Sequence, residues 1–286
     1  MTRNLKYLSF VFFIWIVFSG CKKENFEIFE EPKTLLNVAY GSDAAQKADI
    51  FLPANRSQAD TRVVLIIHGG GWMAGDKKDM ESYIPKLQSQ LKDYAVVNMN
   101  YRLASISPIR YMLPTQSDDI RSLMNYVQSN ADEFGVKPEF VVLGYSAGGH
   151  LAMLYAYRYD TDKRVKAVVN IAGPCNLDDS AYHSNPIFSF GMNYITNPDN
   201  LPDGMTQAVF GSPVTWISTK SQPTISFYGS SDDLIPVSQH TKLEQSLNNV
   251  EVYNEKHIYD TGHDVSFKFA DDIIQKTKAF LSKHVR

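Results

Sequence analysis

Cysteine is nearly missing from this chain: Cys21 and Cys175 are the only two. A disulfide framework is therefore excluded, and stability must come from an apolar core. Histidine is sparse as well, at seven residues, with no paired spacing of the kind zinc sites use. No metal and no other cofactor is expected. Neither sign of charge dominates. The formal net charge is −3 and no Lys/Arg stripe is present, which argues against a nucleic-acid partner. Internal repeats and long low-complexity tracts are also absent. What is there is a globular composition, 44% hydrophobic over 286 residues, enough for one large domain or two small ones.

The first residues differ from the rest. Arg3 and Lys6 precede an apolar run from Tyr7 to Phe18, and Ser19-Gly20-Cys21 follows. A basic start, a short hydrophobic segment and small residues make a secretory signal, and the run is too short to span a bilayer comfortably. Cys21 after Ser-Gly resembles the bacterial lipobox, in which cleavage precedes a lipidated cysteine. The expectation is a signal peptide over 1–20, lipidation at Cys21 and a tether over 21–33. That places an exported, membrane-anchored lipoprotein in the bacterial envelope, facing the periplasm or the surface. Soluble secretion and an uncleaved anchor are the alternatives. Cys175 reads as a small core residue at a strand end, since no basic neighbour would activate its thiol.

From Thr34 onward strands and helices alternate. Leu36–Tyr40 and Lys47–Leu52 read as a hairpin pair. Arg62–Ile67, Tyr94–Met99, Phe140–Leu143, Val165–Ile171 and Thr224–Tyr228 are compact apolar runs of the kind buried in a parallel sheet, and Val250–Ile258 is a further strand. Helical spacing marks Met80–Lys92, Ser117–Asn130, Ala147–Arg158, Val237–Asn248 and Ser266–Lys283. The fold class is α/β, a mostly parallel, doubly wound sheet with helices on both faces. Residues 176–212 break the rhythm and read as a lid-like insertion. Phe188, Phe190, Met192 and Tyr194 would give it an apolar wall, although a decorated surface loop fits too.

Gly144-Tyr145-Ser146-Ala147-Gly148 lies between a strand and a helix. Small residues on either side of the serine permit a tight turn that leaves its hydroxyl exposed at the tip, where the next helix points its N–H groups. On its own the pattern also fits an ordinary glycine turn. A second signal is His68-Gly69-Gly70-Gly71-Trp72, a strand ending in glycines whose N–H groups can turn toward a site, as an oxyanion hole requires. His68 reads as a prop for that loop. Trp72 either packs beside the loop or walls an acyl pocket, and Tyr145 is a second candidate substrate contact. Asp232-Asp233 and His263 each follow a strand, so Ser146, an acid and His263 reach one sheet edge. Arg102 invites a carboxylate partner in Asp118 or Asp119, and His150 reads as packed or capping.

Together these motifs strongly resemble the α/β-hydrolase family, in its hormone-sensitive-lipase-like and feruloyl/acetyl-xylan-esterase-like bacterial branches. The resemblance also takes in Gly75-Asp76, Asn100-Tyr101-Arg102-Leu103, Asp118-Asp119-Ile120, Ser212-Pro213-Val214-Thr215 and Ile235-Pro236, and extends from Thr34 to the C-terminus. It implies an α/β-hydrolase domain over 34–286, with Ser146 as nucleophile, His263 as base and Asp232 as acid. Asp233 would be a spectator. The oxyanion hole would be Gly70, Gly71 and Ala147. The expected activity is a serine carboxylesterase on small acyl or aryl esters, including acetyl or feruloyl groups on plant polysaccharide. No broad apolar lid speaks for long-chain lipids. Amide cleavage, as in arylformamidases or peptidase-like relatives, is the rival. A catalytically dead binding lipoprotein would not need all three triad residues. The partner is thus a small or glycan-linked ester, and no feature sets an oligomeric state.

Overall fold

The computed structural model describes residues 26–183 and 195–285. The signal segment, Cys21, Phe188, Phe190, Met192 and Tyr194 lie outside the described residues. The strands are β1 (Lys33–Ala39), β2 (Lys47–Leu52), β3 (Arg62–Ile67), β4 (Tyr94–Met99), β5 (Ser105–Ile106), β6 (Ile109–Arg110), β7 (Phe140–Tyr145), β8 (Val165–Ile171), β9 (Thr224–Gly229) and β10 (Asn254–Tyr259). Eight of them form one sheet in the order β1-β2-β4-β3-β7-β8-β9-β10. β1 and β2 run antiparallel at one edge, and the remaining six are parallel.

Alternation along each strand separates two cores, as period-2 side chains must. Val63, Leu65 and Ile67 point to one face, where they join Ile120, Leu123, Leu151 and Leu243. Those belong to helices α2 (Thr115–Ser129), α3 (Ala147–Leu154) and α4 (Val237–Asn248). Val64 and Ile66 point to the other, with Tyr83, Leu87, Ile273 and Phe280 of α1 (Tyr83–Gln90) and α5 (Ala270–His284). Both faces are covered. The doubly wound α/β arrangement expected from the sequence is the one observed.

Several boundaries move for local reasons. Helix α1 begins late, because Asp76 and Asp79 form a capping box that first closes a 3₁₀ turn over Lys77–Met80. The Ala147–Arg158 helix relaxes to a π turn over Tyr155–Tyr159. The closing helix is broken at Phe269 into Val265–Lys268 and α5. Strand β10 starts only at Asn254, since Glu251 turns the chain at φ 58° and Val252 N–H caps α4 on the Leu247 carbonyl. Part of the segment read as a tether packs on the domain. Phe29 pairs with Arg56 as an isolated bridge, and the Arg56 guanidinium lies 4.7 Å from the Phe29 ring. Among the described residues no helix is long and apolar enough to cross a membrane.

The stems of the 176–212 insertion are built into the domain. Leu177, Ile195, Thr196, Phe210 and Ser212 are buried. Leu113 N–H donates to the Ile195 carbonyl at 2.6 Å, and Ser212 Oγ accepts from Leu177 N–H. Cys175 is free and fully buried as expected, its thiol donating to the Gln239 carbonyl.

Candidate active site

Strands β3, β7, β9 and β10 run parallel in the sheet, with β8 between β7 and β9, so the segments after Ile67, Tyr145, Gly229 and Tyr259 leave from one edge. At β7 the chain reverses within one residue. Ser146 takes φ 54° and ψ −121°, a region that costs a non-glycine residue of order 1–3 kcal/mol. Crowding holds it there. A Cβ on Gly144 would stand 2.1 Å from the Gly148 carbonyl oxygen, and one on Gly148 would stand 2.1 Å from that of Ile67. Only glycine fits either position, and Ser146 N–H donates to the Ile171 carbonyl.

Ser146 Oγ lies 2.8 Å from His263 Nε2, and His263 Nδ1 lies 2.7 Å from Asp232 Oδ2. The Asp232 carboxylate is fully enclosed, and its other oxygen accepts the N–H groups of Leu234 and Ile235, each at 2.9 Å. A carboxylate can only accept, so the proton sits on Nδ1 and leaves Nε2 as an acceptor facing the serine hydroxyl. Asp233 points outward and is exposed. The structure therefore separates the two adjacent aspartates as the sequence reading did.

The glycine loop curls over the same spot. Gly70, Gly71 and Trp72 all have positive φ, at 107°, 57° and 63°, and the Gly70 carbonyl accepts from Met73 and Ala74. Gly69 abuts Ser146: a Cβ there would stand 3.1 Å from Ser146 Cβ. Among the described residues, the N–H groups of Gly70, Gly71 and Ala147 have no acceptor. His68 stacks on Tyr101 at 4.3 Å, with Nδ1 2.7 Å from the Gly69 carbonyl, so it does prop the loop. Burial pushes the His68 imidazole below its usual range.

One open alternative is decided and one candidate contact is corrected. Trp72 is 6% exposed, and its indole N–H donates to His150 Nδ1 at 3.1 Å, so it packs beneath the loop and does not wall a pocket. Tyr145 spends its hydroxyl on the His263 carbonyl at 3.0 Å, with its ring 5.3 Å from the imidazole. It braces the His263 turn. Arg102 pairs with Asp119, which is buried, and not with the exposed Asp118. A buried Lys77–Asp49 pair below the loop, the Tyr145 brace and the His150 contact had no sequence signal, because each joins segments far apart in the chain.

Residues 48–247 match the BD-FAE family model. The chain belongs to the BD-FAE family. It is 25% identical over 225 residues to esterase LipC of Mycobacterium tuberculosis, covering 73% of this chain and 54% of LipC. Kynurenine formamidase of Danio rerio is 27% identical over 241 residues, covering 82% of this chain and 72% of that enzyme. The chain thus spans about half the length of LipC. Among solved structures, a truncated carbohydrate esterase from gut microbiota superposes with a TM-score of 0.72 at 21% identity, over 88% of this chain and 96% of that one. The fold is shared with such α/β-hydrolase esterases.

Proposed function

We propose that this protein is a serine carboxylic ester hydrolase acting on small acyl or aryl esters, acetyl or feruloyl groups on plant polysaccharide among them. One observation carries the reading: Ser146, His263 and Asp232 are joined by hydrogen bonds of 2.8 and 2.7 Å beside a loop of unpaired glycine N–H groups. His263 Nε2 takes the hydroxyl proton as Ser146 Oγ bonds to the ester carbon. The negative charge that develops on the carbonyl oxygen is held by N–H groups of Gly70, Gly71 and Ala147. Asp232 stabilises the imidazolium and stays ionised. The imidazolium proton passes to the leaving alcohol as the carbon–oxygen bond breaks, which leaves an acyl-serine. Water, deprotonated by His263, attacks that ester, and the acid departs as the serine proton returns.

The similarity to a carbohydrate esterase supports a glycan-linked substrate, and the Cys21 lipobox supports an enzyme held on the exported side of a membrane. The Danio rerio relative favours a second reading, hydrolysis of an aryl formamide by the same residues. A panel of p-nitrophenyl acetate, acetylated xylan, a feruloyl ester and formyl-kynurenine ranks the two. Ser146→Ala is expected to lower turnover of p-nitrophenyl acetate at least about 10⁴-fold and to abolish labelling by a fluorophosphonate probe. Wild-type turnover in that variant would overturn the proposal.

A further inference from the structure

His150 follows Ser146 by one helical turn on α3, is fully buried, and takes no part in the proton relay. Both of its ring nitrogens are nevertheless engaged. Nδ1 accepts the Trp72 indole N–H at 3.1 Å, and Nε2 lies 2.8 Å from the Gly211 carbonyl. A carbonyl can only accept, so the imidazole is neutral with its proton on Nε2. Burial reinforces this by pushing its pKa down to about 4.

The three segments so joined each bear on the site. Trp72 closes the glycine loop, α3 begins at the nucleophile, and Gly211 ends the 176–212 insertion. Trp72 is also a bulky residue at φ 63°, a conformation that costs such a side chain of order 1–2 kcal/mol unless its surroundings hold it. It is held at both ends: its indole by His150, and its carbonyl by Ala104 N–H at 2.9 Å. Gly71 lies next to it, so the direction of the Gly70 and Gly71 N–H groups depends on where Trp72 is fixed.

We infer that His150 is a positioning residue, a neutral strut that sets the glycine loop against the nucleophile helix and registers both with the stem of the insertion. The inference rests on Gly70 and Gly71 being the oxyanion donors. A strut of this kind acts on the transition state, where a displaced donor loses most of its value, and hardly at all on ground-state binding.

The test is steady-state kinetics on p-nitrophenyl acetate with the full chain, alongside the inhibition constant of phenylboronic acid, whose serine adduct is tetrahedral and anionic. His150→Leu and Trp72→Phe are each expected to lower kcat about 10²-fold with KM nearly unchanged. The boronate constant should weaken by a similar factor. His150→Gln, whose amide can accept from the indole and donate to Gly211, should recover most of kcat. A folded His150→Leu with wild-type kcat overturns the inference. So does a loss confined to melting temperature. Should His150→Leu not fold, Trp72→Phe decides alone: an unchanged kcat overturns the inference and a 10²-fold fall supports it. Failure of the esterase reading is separate, since it appears as wild-type turnover in Ser146→Ala whatever His150 does.

Discussion

Replacing Asp232 by Asn tests the triad at the atom where its geometry is most constrained. The two carboxylate oxygens are not equivalent: Oδ1 accepts Leu234 and Ile235 N–H, and Oδ2 accepts from His263 Nδ1. An asparagine has one acceptor and must choose. If its NH₂ faced the two backbone donors, both would lose their partner in a buried site, at about 1–3 kcal/mol each. If its NH₂ faces His263, the imidazole needs only to shift its proton from Nδ1 to Nε2. The second arrangement wins by several kcal/mol. It places an N–H where the serine proton must go, so the base is disabled while the backbone turn survives. The expected fall in kcat is about 10⁴-fold, or about 5.5 kcal/mol of transition-state stabilisation. Folding should suffer far less, by about 1–2 kcal/mol, as three charge-assisted bonds become neutral ones and none is lost. Turnover of p-nitrophenyl acetate and urea unfolding measure the two effects on one preparation. Asp233→Asn, at an exposed position, serves as control and should match wild type. An Asp232→Asn enzyme within tenfold of wild type would refute the assignment, as would an equal loss in Asp233→Asn.

Two further outcomes follow from buried polar groups. Asp119 is wholly buried and accepts from Arg102 Nε and N–H and from Gln46, so Arg102→Met leaves a buried carboxylate without its cation. Urea unfolding should register a loss of about 3–5 kcal/mol; a loss below 1 kcal/mol would show the pair to be dispensable. His150 resists protonation in the folded chain down to about pH 4, whereas the unfolded residue binds a proton near 6.5. The unfolded state therefore holds more protons between those values, so stability rises with pH across that window and about 3 kcal/mol is lost as pH is lowered to its acid end. His150→Gln should flatten that part of the stability–pH curve, and identical slopes in both proteins would contradict it.

Much of the molecule was legible in the sequence because its signals are local. Buried parallel strands read as short apolar runs, and β3, β4 and β8 begin and end where those runs do, as the antiparallel β2 does where the hairpin was read. Ser146, Asp232 and His263 stood out because each sits just past a strand, and strand ends in a parallel sheet converge. Choosing Asp232 over Asp233 came from the family pattern; the structure supplies the cause, a turn in which only the first carboxylate can accept the N–H groups that follow. Strands β5 and β6 have two residues each and lie below any detectable alternation. Phe29 escaped notice because an acidic, polar neighbourhood reads as tether, whereas its partner Arg56 is buried and distant in sequence. Trp72 was left between packing beside the loop and walling a pocket, and Tyr145 was given the wrong duty. An aromatic next to a reactive residue can face substrate or brace the frame, and only contacts to His150 and His263 decide which.

That decision changes where specificity must reside. With the Trp72 indole N–H and the Tyr145 hydroxyl proton both donated to internal partners, neither donor is available to a substrate. The apolar side chains left exposed beside the site are others. Met73 follows Trp72 on the glycine loop, Leu234 follows the acid by two residues, and Phe267 stands edge-on to Tyr145 just beyond His263. Each is attached to a segment that carries a group of the proposed site. Tyr145 precedes Ser146 and donates to the carbonyl of His263, so it ties together two segments that arise from different strands. The 2.8 Å contact between Ser146 and His263 is thereby set by the frame, and such preorganisation is what the proposed acyl transfer needs.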